Sequence, residues 1–483
     1  MTTRAIGCIV GGEHRVKGNA KPNLNPSNTG DVVLEAMCGT VETATDAVSA
    51  AADAFPTWSR TTPWQRAEVL DRAGTEVLAR ADELGDLLAR EEGKTLPEAR
   101  GEVVRAGQIL KYFAGVALQP HGQAVDSVRP GVEISVTREP IGVVSLITPW
   151  NFPIAIPAWK IAPALAFGNT VVFKPAELVP GSAWELVDIL HRAGLPDGVL
   201  NLVLGRGSEV GGVLTEDPRI AAVSFTGSTT TGHHVRTAAM GHGARVQLEM
   251  GGKNPLIVTG HADLAVAAEC AMQGGFGSTG QRCTASSILV VTDDVHDAFI
   301  DAMQQRMSDW RTGDARGAGV HMGPVVDERQ LQQDLDYLDV ARTQGARVIG
   351  GELLDLGVKG FYLSPALAVD TQPDHTINRE EVFGPVMSVI RAADYADALS
   401  IANGSDANLS AGIVTTDLAE AAHFRRNSKA GMVMVNLPTA GVDFHVPFGG
   451  RGGSSYGPRE QGTAAVEFFT VSKTAYTAPG IPG

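Results

Sequence analysis

The chain has 483 residues, 43% of them apolar, and a formal net charge of −15. That length is enough for about three domains with large buried cores, and the negative field excludes nucleic acid and anionic membranes as general partners because it repels phosphate. Any anionic ligand needs a cation placed beside it.

At the start, "MTTRAIGCIVGGEH" holds only a short, glycine-broken apolar run, so no secretory signal is expected. The four cysteines (Cys8, Cys38, Cys270, Cys283) are too scattered for a disulfide framework and form no CxxC pair, so neither disulfides nor a metal site is expected. Reduced thiols in a cytoplasm are the expectation. The first third then reads as helical: Val69, Ala73 and Val77 share one helical face, as do Leu84, Leu87 and Leu88, with Pro63 and Pro97 as punctuation. Around Val116–Thr137 the pattern predicts extended strands without a helix partner, an arm suited to assembly.

From Ile141 to Trp159 no residue is charged over 19 positions, the length of a membrane span. Pro149, Pro153 and Pro157 each remove a backbone donor that a lone helix in lipid could not spare, so the stretch predicts strand, loop and helix instead. Short β-rich runs follow at Gly142–Ile147, Asn169–Phe173, Val199–Val203, Ala221–Phe225 and Arg245–Leu248, separated by helix-length segments. This alternation predicts a parallel α/β sheet whose carboxyl ends gather at one edge, where ligands bind. A second α/β alternation starts at "NPLIV" (Asn254–Val258) and runs past "EVFGPV". Strands without a helix partner return after Gly462.

The motifs fall at those strand ends. "TVVFKPAE" places Lys174 and Glu177 where a cation and a carboxylate can hold a ribose diol, and the carboxylate would repel a 2′-phosphate, which favours NAD and leaves NADP possible. The same residues also fit a solvated surface pair. "VSFTGSTTTG" is a strand followed by Gly227 and Gly232, predicting a helix from His233 with free amides for a phosphate, although no GxGxxG follows the first strand and an ordinary αβ connection looks similar. "TPWNFP" sets the amide of Asn151 among aromatics, either to donate to a developing oxyanion or to close a turn. In "QLEMGGKNP", Glu249 directly follows a strand, where desolvation would make it a general base rather than a loop acid. Finally, "GFGSTGQRCTASS" gives Cys283 polar, flexible neighbours, and Arg282 with nearby amides is expected to stabilise its thiolate. A lone cysteine is otherwise a small packing residue.

Together "TPWNFP", "FKPAE", "FTGS", "LEMGGKNP", "GQRC", "EVFGPV" and "VPFGG" resemble, in order and spacing over nearly the whole chain, the aldehyde dehydrogenase superfamily. The resemblance implies two α/β domains with parallel sheets plus a β-strand oligomerisation arm: residues 1–117 and 141–250 for the dinucleotide, 251–448 for catalysis, 118–140 and 463–483 for the arm, in a homodimer or homotetramer. It implies Cys283 as nucleophile, Glu249 as general base and Asn151 with the Cys283 amide as oxyanion donors. For the cofactor it implies Thr148, Pro149, Trp150, Lys174, Glu177, Gly207, Phe225, Gly227 and Ser228, with Glu381 on the nicotinamide ribose and Phe383 beside the nicotinamide. The expected reaction is NAD(P)-dependent oxidation of a small aldehyde through a cysteine thiohemiacetal and thioester. A water-activating Glu249 argues for a free carboxylate product rather than a coenzyme A thioester.

The tail "NLPTAGVDFHVPFGGRGGSSYGPREQG" with "FGSTGQRCTASS" is most similar to 2-oxoglutarate semialdehyde (2,5-dioxopentanoate) dehydrogenases of sugar-acid catabolism. It departs from that subgroup at "GGFGS", where an aromatic pair is common, and at Gly452, where many members of the superfamily carry lysine. A carboxylated substrate points to Arg282 as its cation, with Phe152, Trp159 and Phe444 lining an entrance tunnel. Succinate semialdehyde and general aliphatic or aromatic aldehydes are the alternatives, ahead of a thiol esterase or a non-catalytic binding protein.

Overall fold

The computed structural model describes residues 4–119 and 121–480. Two large sheets organise the molecule. In the first, five parallel strands run in the spatial order Arg245–Glu249, Ile220–Thr226, Val143–Ile147, Thr170–Lys174, Leu200–Leu202, extended at one edge by Cys8–Val10 and Glu13–Arg15 and at the other by Ser455–Tyr456. The strand order reverses between Val143–Ile147 and Ile220–Thr226, and a crevice opens outside their carboxyl ends at such a switch point. The second sheet runs Arg347–Gly350, Ala366–Thr371, Val386–Ala392, Ser286–Thr292, Asn254–Val258, Ser410–Val414, Met432–Val435 and is parallel except for its first member.

Four helices, Val41–Trp58, Pro63–Ala79, Ala81–Glu92 and Leu96–Ala117, fill the early part of the chain. Thr40 and Thr62 start the first two with reciprocal capping bonds, each satisfying donors that a helix start otherwise leaves open. The last of the four carries Val103, Ala106, Ile109, Leu110 and Phe113 fully buried against the first sheet's helices. Its helical register runs on through Ala117, so the extended arm predicted from Val116 begins later, with strands Gln123–Asp126 and Glu133–Pro140. Thr470–Thr477 pairs antiparallel with Glu133–Pro140 to complete a separate three-stranded sheet. Before it, Ala465, Val466, Phe468 and Phe469 are buried in the first core, so that part of the 463–483 segment is core rather than strand. Residues 1–3, 120 and 481–483 of the expected boundaries lie outside the described residues.

One short stretch joins the two large sheets. Arg451–Gly452 pairs with Ala407–Asn408, which leads into Ser410–Val414 of the second sheet, and Ser455–Tyr456 pairs with Leu248 and Glu249 of the first. No helix among the described residues is long and apolar enough to cross a membrane; the uncharged run breaks into strand Val143–Ile147, a loop and helix Ala155–Ala166.

Candidate active site

A cleft of about 1150 Å³ lies at the switch point. The strand ends deliver its walls: Thr148, Pro149, Trp150 and Asn151 after the central strand, Lys174 and Glu177 after the next, Phe225, Gly227 and Ser228 after Ile220–Thr226, and Glu249 as the last residue of its own strand rather than the one beyond it. Gly207 joins them from the first turn of helix Gly207–Glu216. From the second sheet's side come Cys283, Glu381 and Phe383. Every residue assigned to nucleophile, base, oxyanion and cofactor roles therefore faces one cavity.

Local structure refines several expectations. The helix after "FTGS" starts at Thr229, not His233, because the Ser228 side chain caps it by accepting from the Thr231 amide. The Gly227 amide is already donated to the Glu249 carbonyl, and a Cβ at this glycine would press on the Phe225 ring. The donors left for an anion are those of the first helical turn. Lys174 is buried and donates to the Pro175 carbonyl at 2.9 Å, while Glu177 accepts from Lys21 at 2.8 Å and lies 3.9 Å from Arg206. Lys21, on strand Asn19–Asn25, lines the same cleft and carries no motif that marks it in the sequence. Thr148 Oγ1 and Thr226 Oγ1 are buried without hydrogen-bond partners. A polar cradle with spare donors, a carboxylate flanked by cations and a helix start fits a dinucleotide.

Phe383 stands at φ 63°, in the left-handed region that bulky residues avoid, and its ring meets Trp150 edge-on at 5.5 Å. Glu381 accepts from the Gly252 amide at 3.1 Å, and a Cβ at Gly251 would collide with its carboxylate, so glycine is required for this approach. Burial pushes the Glu381 carboxyl up to about 7, against the Gly252 hydrogen bond and the Lys253 charge.

The three chemical groups are each held from outside the motif that carries them. Asn151 donates to the Gln281 carbonyl at 2.9 Å, two residues before Cys283. Its own carbonyl accepts from buried Lys94 at 2.7 Å; Lys94 also donates to Glu102 at 2.7 Å, and Glu102 accepts from the Ile154 and Ala155 amides. This network fixes the Asn151 loop, and it was invisible in the "TPWNFP" motif because its anchors sit on the preceding helix and its approach. Glu249 is buried, accepts from the Ser455 hydroxyl at 2.6 Å, and has its pKa pushed well above the usual carboxylate range by burial first and by Glu460 second. The Cys283 thiol is pushed up to about 12, by burial first and then by Glu381 and Glu249.

Arg282 is placed differently from the expectation that it serves the thiolate and the substrate carboxylate. The arginine turns away from the sulfur and pairs with Glu98 at 3.1 Å, packed under Gly277, whose Cβ would meet the guanidinium. It is not among the residues lining the cleft. Ser278 and Thr279, at φ 50° and 58°, turn the chain through the loop that Glu98 also grips by the Ser278 amide. Phe152, Trp159 and Phe444, expected along an entrance tunnel, are not among the residues lining the dinucleotide cleft: Lys94 Nζ sits 3.9 Å from the Phe152 ring centroid, Trp159 Nε1 donates to Glu460 at 2.7 Å, and Phe444 packs against Tyr112 at 5.8 Å.

Residues 15–475 match the aldehyde dehydrogenase family. The chain is 44% identical to the alpha-ketoglutarate semialdehyde dehydrogenase of Haloferax volcanii over 95% of its own length and 96% of the relative's. It is 41% identical to the 2,5-dioxopentanoate dehydrogenase of Saccharolobus solfataricus, over 95% and 97% of the two chains. Among solved structures, betaine aldehyde dehydrogenase from Staphylococcus aureus in complex with NAD+ superposes with a TM-score of 0.95 at 33% identity, covering 100% of this chain and 96% of that one.

Proposed function

We propose, from the premise that this chain belongs to the aldehyde dehydrogenase family, that it oxidises 2-oxoglutarate semialdehyde to 2-oxoglutarate with NAD as acceptor. The observation that carries this reading is the convergence of Cys283, Glu249 and Asn151 on one cleft whose other wall is a dinucleotide cradle. The names of the relatives at 41–44% identity support the substrate, and the NAD-bound structural neighbour supports the cofactor.

The chemistry follows from the charges. A thiol with a pKa near 12 is a poor nucleophile, so its proton must leave before attack, and Glu249, buried and raised in affinity for a proton, is the acceptor facing the same cavity. The thiolate adds to the aldehyde carbon, and the Asn151 amide with the Cys283 N–H donates to the oxygen that becomes negative. Bound in the cleft, the nicotinamide supplies the two-electron acceptor that converts the thiohemiacetal on Cys283 into a thioester. Once that first proton has passed to solvent, Glu249, held by Ser455, takes a proton from water; the oxygen adds to the thioester carbon to give the carboxylic acid, and the proton passes to the departing sulfur to restore the thiol. Lys174 and Glu177 hold the adenine ribose, the first turn from Thr229 the pyrophosphate, and Glu381 the nicotinamide ribose.

The same reading keeps residues 1–117 and 141–250 as the dinucleotide unit and 251–448 as the catalytic unit, supported by the two large sheets. The three-stranded sheet supports assembly into a homodimer or homotetramer, because Val125, Val471 and Tyr476 on its strands are exposed, at 46%, 42% and 60%. Four unpaired cysteines support a cytoplasmic setting. The test is NADH formation at 340 nm by the purified protein across 2-oxoglutarate semialdehyde, succinate semialdehyde and pentanal, with NAD and NADP in parallel. Preference for the acidic aldehydes with NAD is expected; ester cleavage without any NADH would overturn the reading.

A further inference from the structure

Outside the residues that line the dinucleotide cleft, and within electrostatic reach of Cys283, a joined pair of polar side chains leaves two buried donor groups without acceptors among the described residues. Arg105, on helix Leu96–Ala117, donates from Nη2 to Gln461 Oε1 at 3.3 Å, and its guanidinium lies 5.9 Å from the Trp159 ring. Its Nε is buried with no hydrogen-bond partner among the described residues. Gln461 is fully buried, and because its oxygen is taken by the guanidinium its NH₂ group points elsewhere, also without a partner among the described residues. Unmade donors of this kind each cost about 1 to 3 kcal/mol when nothing replaces water. The Gln461 backbone sits at φ 60°, ψ 171°, a region that side chains rarely adopt, and this too is unfavourable.

The neighbours do not neutralise the cation. Glu102, three residues earlier on the same helix, already accepts from Lys94, Ile154 and Ala155. Asp443 lies on an exposed loop, next to Phe444, whose carbonyl accepts from the Gly462 amide beside Gln461. Arg105 is within electrostatic reach of the Cys283 thiol as well as of Glu102 and Asp443, and burial pulls its pKa down against all three. In a chain of net charge −15, a half-buried guanidinium without an ion partner beside the reactive sulfur is an unusual expense of stability.

We propose that Arg105 and Gln461 together bind the carboxylate at the far end of the substrate, so that an aldehyde carrying an acid a few carbons away is held with its carbonyl at Cys283. This rests on the acidic-semialdehyde reading above and assigns its anchor, in place of Arg282, to the guanidinium Nε–H and the Gln461 Nε2–H. Both donors are directional, and a carboxylate offers each of them an oxygen.

The test compares kcat/KM for 2-oxoglutarate semialdehyde, succinate semialdehyde and pentanal in the wild type, Arg105→Met, Arg105→Lys, Gln461→Leu and Arg282→Gln. Losing a charge-assisted hydrogen bond should lower kcat/KM for the acids about 30-fold or more in Arg105→Met, mainly through KM, with a loss on pentanal at least ten times smaller. Arg105→Lys should recover part of the difference, Gln461→Leu should show a milder selective loss, and 2-oxoglutarate should inhibit Arg105→Met more weakly than wild type. Equal loss on acidic and neutral aldehydes, or a selective loss in Arg282→Gln instead, overturns the assignment while leaving the substrate reading intact. A wild type that handles pentanal as well as the acids removes both. Should Arg105→Met not fold, Gln461→Leu and Arg105→Lys carry the same comparison, and absence of any selective loss in both overturns it.

Discussion

The two sides of Cys283 are built differently. Towards the dinucleotide cleft, the walls come from consecutive strand ends, each motif contributing residues a few positions apart. The anchor proposed for the aldehyde's far end comes instead from a helix near residue 105 and a turn near residue 461, parts of the chain separated by 356 positions and joined by one hydrogen bond. A fold can present a shared cofactor through its topology alone, whereas selection among small substrates falls to side chains gathered from distant segments, which can change without disturbing the sheet.

The largest break in that comparison is at the sulfur where the two sides meet. Cys283→Ala should reduce aldehyde oxidation by about 10⁴-fold or more and abolish ester cleavage as well, because both need the same nucleophile. Steady-state NADH rates and a nitrophenyl ester assay check this, and substantial oxidation by the variant would place the nucleophile elsewhere. Next in size, Glu249→Gln should lower steady turnover by about 10²- to 10⁴-fold while sparing a first burst of NADH, since thioester cleavage depends on it most. Stopped-flow measurement separates burst from turnover.

The sign of the pH dependence follows from the same two groups. Burial raises the pKa of both, and the reactive forms are the deprotonated ones, so wild-type kcat/KM should climb as pH rises. A profile that falls as pH rises would contradict the assignment. The smallest effect expected is on the cofactor side. Glu177 is flanked by Lys21 and Arg206, so Glu177→Gln removes a negative group from between two cations and should raise the NADP-to-NAD ratio of kcat/KM about tenfold, leaving the aldehyde preference in place. An unchanged ratio would show that Glu177 does not face the adenine ribose.

These differences also explain what the sequence made legible. Alternating β-rich and helical stretches with glycine-bearing turns announce a parallel sheet and its ligand edge, because each element buries a face at its own period. Glu249 ends a strand, Asn151 sits in the loop after one, and Cys283 stands in a short polar loop ahead of another, so all three could be found from local sequence. Lys21, Lys94, Glu102 and Arg105 could not, because their partners are set by packing between segments that no local spacing records. A signal did exist: Glu102 interrupts the apolar face formed by Ala99, Val103 and Ala106, and a charge on a buried face demands a partner. Arg282 misled for the converse reason. Adjacency to Cys283 in sequence says nothing about direction, and in this loop successive side chains diverge, one to the cavity and one to Glu98.

The stretch from Arg451 to Tyr456 links the two halves to the site. It is laced to each half of the molecule by a ladder only two residues long, and Ser455, within the ladder to the first sheet, donates its hydroxyl to the Glu249 carboxylate. Prising the halves apart therefore strains the same few atoms that aim the hydrolytic group.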